Sequence, residues 1–326
     1  MKLTLLCSQI VVTNGAKQAI AQVVQAVCGP GDEVLIPAPY WVSYPEMARL
    51  AGAQPLILPA SSAEGFILSA EALEKALTPN SRLLILCTPS NPTGAVYTPA
   101  QLAALAEVVA RHPRLIVLSD EIYEHIIYPP AVHASFAALP HMYERTVTVN
   151  GFSKAFAMTG WRMGYLAAPA WIAAAAASIQ GQTTSGASSI AQAASVAALK
   201  LGRAGGESVA AMVSSFRARR DYVASRIAAW PGARMGLPEG AFYAMPDVSA
   251  YTGPGKSAPG FGEIGSSEAL CSFLLQDGMV ALVPGEAFGA PGTLRISYAA
   301  SMDTLREACD RVERSLAKVV PQPTRQ

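Results

Sequence analysis

Charge is what this chain has least of. Only 14% of its 326 residues are Asp, Glu, Lys or Arg, and they balance to a net charge of +1. No basic tract stands out, which argues against a nucleic-acid partner. Cysteine is sparse and scattered: Cys7, Cys28, Cys87, Cys271 and Cys309 lie far apart with no Cys-x-x-Cys pair. That pattern suits free thiols in a reducing, cytoplasmic compartment, and no metal ligand set is read from it. The opening MKLTLLCSQIVV is an apolar stretch broken by Ser8 and Gln9, too short for a secretory signal. A long charge-free span, Met163 to Leu199, contains Pro169 and the polar cluster Gln180–Ser189. It therefore does not read as a membrane helix, and is expected to be a buried part of a soluble protein. Internal repeats are absent.

What is there is an alanine-rich, 51% hydrophobic chain long enough for a substantial core. Short apolar runs alternate with segments of helical period along residues 10–150. Strands are expected at Ile10–Thr13, Glu33–Ile36, Pro55–Leu58, Leu83–Cys87, Leu115–Ser119 and Thr146–Asn150. Helices are expected at 16–28, 42–51, 69–77 and 99–110, the last opened by Thr98 as cap, Pro99 and Gln101. Strands alternating with crossover helices imply an α/β domain with a mostly parallel central sheet flanked by helices.

After residue 200 the texture changes. Gly202–Gly206 reads as a loop and 207–229 as one long helix ending at Trp230-Pro231-Gly232. Short strands around 242–245, 279–283 and 293–298 follow, with helices near 266–276 and 302–317. The final helix carries Leu305, Cys309, Val312 and Leu316 on one face. Thr252–Gly265, rich in Gly, Pro and Ser, reads as a surface loop. The division expected is a large domain over 1–204 and a smaller C-terminal α+β domain over 205–326, entered by the long helix.

Several short segments carry chemistry. Asn14-Gly15-Ala16-Lys17-Gln18 follows a strand and opens a helix, a geometry that presents backbone N–H groups to a phosphate; a plain glycine turn is the alternative. Trp41 follows the strand 33–36 at its carboxyl end, where open α/β sheets place ligands, and could stack on a flat heterocycle or fill a core. In Pro89-Ser90-Asn91-Pro92-Thr93-Gly94 the flanking prolines hold the Asn91 amide rigidly, in what could also be a simple turn. Asp120 ends an apolar strand, where a carboxylate is costly unless paired with a cation such as a protonated pyridine nitrogen. Tyr123 follows three residues on, placed to hydrogen-bond a phenolic oxygen. A surface acid pair, Asp120-Glu121, is the plainer reading.

Lys154 stands in a charge-poor stretch, where a lysine can act as a nucleophile toward an aldehyde and then shuttle a proton. Ser153 and Arg162 suit a phosphate. No other lysine is expected near enough to replace Lys154. Arg295 lies inside an apolar strand and wants a carboxylate, from a substrate or from the protein.

Together these segments resemble the class I/II aminotransferases of the aspartate aminotransferase fold, which use pyridoxal 5'-phosphate. The matching runs are VVTNGAKQAI, GDEVLIPAPYWVSYPEM, PSNPTGAVY, SDEIYEH, NGFSKAFAMTGWRMGY, EGAFY, VPGEAFG and LRISYA, spread from about residue 9 to 317. The resemblance implies a Schiff-base role and proton shuttling for Lys154. Asp120 would pair the ring nitrogen, Tyr123 and Asn91 would bind the ring oxygen, and Trp41 would stack. Gly15, Ala16, Lys17, Ser153 and Arg162 would line the phosphate site. Arg295 would take the substrate carboxylate, with Asn91 and Trp41 bordering the substrate. It also implies a homodimer that transfers an amino group from an aspartate-like or aromatic amino acid to a 2-oxo acid. Segments PYWVSYPEM and AFAMTGWR are most similar to the bacterial aspartate/prephenate branch. Family members carry a segment ahead of the first strand, where only Met1–Ser8 stands here, so the expectation is a chain lacking that segment. Alternative readings are an inactive cofactor-binding remnant and a lyase or decarboxylase sharing Lys154, Asp120 and Tyr123.

Overall fold

The computed structural model describes residues 4–202 and 204–321. Met1–Leu3 of the opening segment and Arg203 of the 202–206 loop lie outside the described residues. The described residues build one seven-stranded sheet and two small three-stranded sheets.

The large sheet contains β1 (Ile10–Thr13), β2 (Glu33–Ala38), β3 (Gln54–Pro59), β4 (Ser81–Cys87), β5 (Ile116–Asp120), β6 (Thr146–Gly151) and β7 (Gly164–Ala167). Their spatial order is β1-β7-β6-β5-β4-β2-β3. Strands β2 to β6 pair in parallel, whereas β7 runs antiparallel to both β1 and β6. Helices α1 (Ala16–Val27), α2 (Ser43–Leu50), α3 (Ala70–Ala76) and α4 (Pro99–Arg111) make the crossovers.

Alternate residues along each strand enter different layers, as the pleat requires. Val34, Ile36, Leu83, Ile85, Ile116 and Leu118 pack on α1 and its neighbours. Leu35, Leu84, Leu86 and Val117 pack on the opposite face with Leu102, Leu105 and Val109 of α4. Both faces of the sheet are therefore dry, and its ligand-accessible region is the rim where β4, β5 and β6 end.

The remaining elements are α5 (Ala170–Thr183), α6 (Ser189–Leu199), the 23-residue α7 (Gly206–Ala228), α8 (Ser267–Gly278) and α9 (Met302–Leu316). Strand β8 (Tyr243–Ala244) joins β11 (Val283–Pro284) and β12 (Leu294–Ser297) in one small sheet, ordered β11-β12-β8. The other is β10-β9-β13, from β9 (Lys256–Ala258), β10 (Gly262–Glu263) and β13 (Val320–Pro321). Leu305, Cys309, Val312 and Leu316 of α9 are all buried. Each such aliphatic side chain contributes about 1.5–3 kcal/mol relative to exposure. The third core joins these elements to Ile122, Tyr123 and Ile126, just beyond β5.

Two expectations are corrected, and one strand has no sequence counterpart. The charge-free span 163–199 is not one buried piece. Ile190, Val196 and Leu199 are 77%, 51% and 57% exposed, and residues 181–186 are exposed throughout. Lack of charge is not burial: alanine gives both faces of α6 the same polarity, so periodicity carries no signal there. Strand β7 was hidden by the glycine that starts it. A Cβ at Gly164 would collide with the backbone of Gly15 and Ala16, so close packing rather than strand propensity selects that residue. The stretch 252–265 is not only loop, since it contains β9 and β10, with β9 pairing to β13 at the far end of the chain.

Candidate active site

The carboxyl rim of the large sheet opens into a cavity of about 180 Å³ lined by Ala16, Lys17, Trp41, Asn91, Asp120, Tyr123, Ser153, Lys154 and Arg162, among others. Thus nine of the eleven residues singled out from the sequence meet there. The other two adjoin it: Gly15 packs against Arg162, and Arg295 holds Asn91.

Asp120 is the last residue of β5 and only 4% exposed. Its Oδ2 accepts a 2.7 Å hydrogen bond from the Tyr44 hydroxyl and its Oδ1 accepts one from the Ile122 N–H at 3.2 Å. Burial nevertheless pushes its pKa from 3.8 to about 6, against the lowering effect of those hydrogen bonds and of Lys154. A carboxylate held this deep, facing a cavity, is built for a cation. Glu121 is buried too, at 2%, and points elsewhere: its carboxylate accepts from Ser119, Ser135 and His133. The surface-acid reading of this pair is therefore wrong.

Lys154 follows β6 on a tight turn. Its ammonium lies 5.8 Å from the Tyr123 ring centroid and 5.7 Å from that of Phe242. Burial lowers its pKa, Asp120 opposes this, and Arg295 and Arg162 reinforce it. A larger neutral fraction makes the amine a better nucleophile.

The turn from β1 into α1 supplies an anion cradle. Gly15 caps the helix with φ +82° and without a side chain, leaving the first N–H groups of α1 free of an intrahelical partner. A Cβ there would collide with the Arg162 guanidinium. Arg162 itself donates to the carbonyls of Thr159 and Asn14.

On the far side, Arg295 of β12 donates a 3.0 Å hydrogen bond to Asn91 Oδ1. Its guanidinium lies 4.7 Å from the Tyr243 ring centroid and 4.8 Å from that of Phe288. Its Nε is buried and has no hydrogen-bond partner among the described residues.

A family model described as aminotransferase class I and II matches residues 3–312. The chain belongs to this family. It is 61% identical over 313 residues to a bifunctional aspartate aminotransferase and glutamate/aspartate-prephenate aminotransferase of Petunia hybrida, covering 96% of this chain and 65% of that protein. It is 59% identical over 314 residues to an aspartate aminotransferase of Pinus pinaster, covering 96% and 63% respectively. The chain thus spans a little under two thirds of the length of these two relatives. The aspartate aminotransferase of Rhizobium meliloti superposes with a TM-score of 0.93 at 41% identity, over 98% of this chain and 78% of that one.

The cofactor of class I/II aminotransferases, pyridoxal 5'-phosphate, fits the residues present. The side-chain-free cradle at Gly15 beside Arg162 suits the phosphate, buried Asp120 suits a ring nitrogen that carries a proton, and Lys154 suits the aldehyde. Two features of this aminotransferase site were not read from the sequence. Tyr44, three residues after Trp41 and edge-on to it at 5.4 Å, supports Asp120; the signal was its i,i+3 spacing at the start of a helix. Tyr243 reaches Tyr123 across 120 residues of sequence, hydroxyl to hydroxyl at 3.0 Å; the run EGAFY contains it, but nothing local pairs it with Tyr123. Lys17, expected at the phosphate site, lines the same cavity as Lys154 and lies 4.9 Å from the Trp41 centroid.

Proposed function

We propose that this chain is an aminotransferase that holds pyridoxal 5'-phosphate and moves an amino group from an aspartate-like amino acid to a 2-oxo acid. The observation carrying this reading is the convergence of buried Asp120, Lys154 and the Gly15–Arg162 cradle on one cavity. Bound there, the cofactor's protonated ring would supply an electron sink for charge developing at the substrate Cα.

The chain's own groups divide the remaining work. Asp120 keeps the ring nitrogen charged by giving it a buried negative partner. Asn91 has its Oδ1 engaged by Arg295, which leaves its Nδ2 free to donate to the ring oxygen alongside the Tyr123 hydroxyl. Lys154 would hold the aldehyde end, and its Nζ is the group that would take and return the Cα proton. Arg295 would take the substrate carboxylate, and Trp41 would flank the ring. Lys17, which lines the same cavity beside Ala16, would add its charge to the phosphate end of the site.

The reading extends to a homodimer, to a division near residue 204 between a cofactor domain and a smaller domain entered by α7, and to a cytoplasmic setting. The five free cysteines suit that setting. Among the described residues no helix is long and apolar enough to cross a membrane.

The test is amino-group exchange. Chain incubated with pyridoxal phosphate, isotopically labelled aspartate and a 2-oxo acid should return the label in the new amino acid. Loss of carbon dioxide or elimination without such exchange would replace this reading with the lyase or decarboxylase alternative.

A further inference from the structure

Tyr243 has no part in the function so far, yet it touches two of the groups that do. It sits on β8, opposite Ser297 in the register with β12, and is 7% exposed. Its hydroxyl is 3.0 Å from that of Tyr123, and its ring lies beneath the Arg295 guanidinium at 4.7 Å. Tyr123 is 2% exposed and packs edge-on against both Phe242 and Tyr243. The pair is therefore fixed by packing as well as by the hydrogen bond.

Two buried hydroxyls this close share one hydrogen bond, and its direction matters. If Tyr123 donates to Tyr243, Tyr123 has no proton left to offer the cavity. If Tyr243 donates, the Tyr123 proton is free to point inward, and the bond it makes there is strengthened by the one it accepts. Each ring has a cation over it, but Arg295 lies 4.7 Å from the Tyr243 centroid whereas the Lys154 ammonium lies 5.8 Å from that of Tyr123, so the nearer, permanently charged group decides between them. It stabilises negative charge on the Tyr243 phenol, making Tyr243 the more acidic partner and hence the better donor.

We propose that Tyr243 is a positioning residue whose hydroxyl donates to Tyr123 under the bias of Arg295, so that the Tyr123 proton is aimed at the cofactor's ring oxygen. The inference rests on the reading of the cavity as a pyridoxal phosphate site.

The experiment titrates the visible absorption band of the cofactor-loaded chain against pH. Four proteins are compared: the parent, Tyr243→Phe, Tyr123→Phe and the double substitution, each with a thermal melt as a fold control. A weaker donor leaves more negative charge on the ring oxygen, which holds the neighbouring proton more tightly. Tyr243→Phe should therefore raise the midpoint by about half a pH unit. It should add nothing further in the Tyr123→Phe background. A midpoint unchanged in Tyr243→Phe, or two shifts that simply add, overturns the proposal while leaving the cofactor reading intact. A parent chain with no visible band overturns the cofactor reading, and this inference with it. A crystal structure of the loaded parent decides independently of any variant: the two hydroxyls beyond hydrogen-bond distance would refute the pairing.

Discussion

The Tyr44 hydroxyl donates a 2.7 Å hydrogen bond to Oδ2 of Asp120, joining the start of α2 to the end of β5 at the floor of the cavity. Both groups are buried, so Asp120 holds its charge through the few donors that reach it and the nearby Lys154 ammonium. A hydrogen bond to a charged group contributes about 1.5–3 kcal/mol. Tyr44→Phe should therefore weaken cofactor binding about tenfold and lower turnover, by loosening the carboxylate that faces the ring nitrogen. Cofactor titration by absorbance measures this, and equal affinities would show that Tyr44 serves packing alone.

Asp120→Asn should separate function from stability. The folded pKa of Asp120 is raised from 3.8 to about 6 by burial. Its contribution to stability is thus fully present below pH ~4 and lost as pH rises through about 6, where an uncompensated buried charge forms. In cofactor-free protein, the stability of Asp120→Asn relative to the parent should rise by on the order of 2–3 kcal/mol between pH 4 and pH 8. Cofactor-dependent activity should vanish. Urea unfolding at several pH values provides the measurement, and a flat difference would contradict the argument.

His133 gives a second pH dependence. Its Nε2 lies 2.9 Å from Glu121 Oε2, behind the strand that carries Asp120. Burial disfavours the imidazolium, but the hydrogen bond to Glu121 and the charges of Glu121 and Glu124 outweigh it and raise the pKa. Stability from this pair is then complete below pH ~6.5 and is lost as pH rises through the elevated folded value. His133→Phe should cost about 2–4 kcal/mol near pH 6 and distinctly less near pH 9. A cost independent of pH would mean that the imidazole acts only by filling space.

Arg295→Ala should damage substrate use far more than cofactor retention. It removes the guanidinium that would hold the substrate carboxylate on this reading, and it frees Asn91 Oδ1. Losing a buried charge-assisted pair should lower kcat/KM about 100-fold or more, mainly through KM. Cofactor affinity measured on the same samples should change by less than about fivefold, since Arg295 makes no phosphate contact in this account. Parallel losses in both would make Arg295 a structural residue.

Much of this was legible beforehand, for definite reasons. The parallel strands announce themselves because both their faces are buried and their apolar runs are unbroken, as in Leu83–Cys87 and Leu115–Ser119. Lys154, Asp120 and Arg162 could be named because a charged residue at the end of an apolar strand or turn has few structural uses. What escaped was set by tertiary contact. The Tyr123–Tyr243 pair depends on β8 reaching the rim of the large sheet, and a strand of two residues has no period to read. The exposed side of α6 escaped because alanine-rich helices carry no polar stripe.

The central claim is that Lys154 is the amine that takes the aldehyde. Reduction of the cofactor-loaded chain with borohydride, followed by proteolysis and mass mapping, locates that attachment directly. The account predicts the cofactor mass on the peptide containing Lys154, and no fixed cofactor in Lys154→Ala. Cofactor trapped on Lys17, the other amine in the cavity, or retained label in Lys154→Ala, would contradict it.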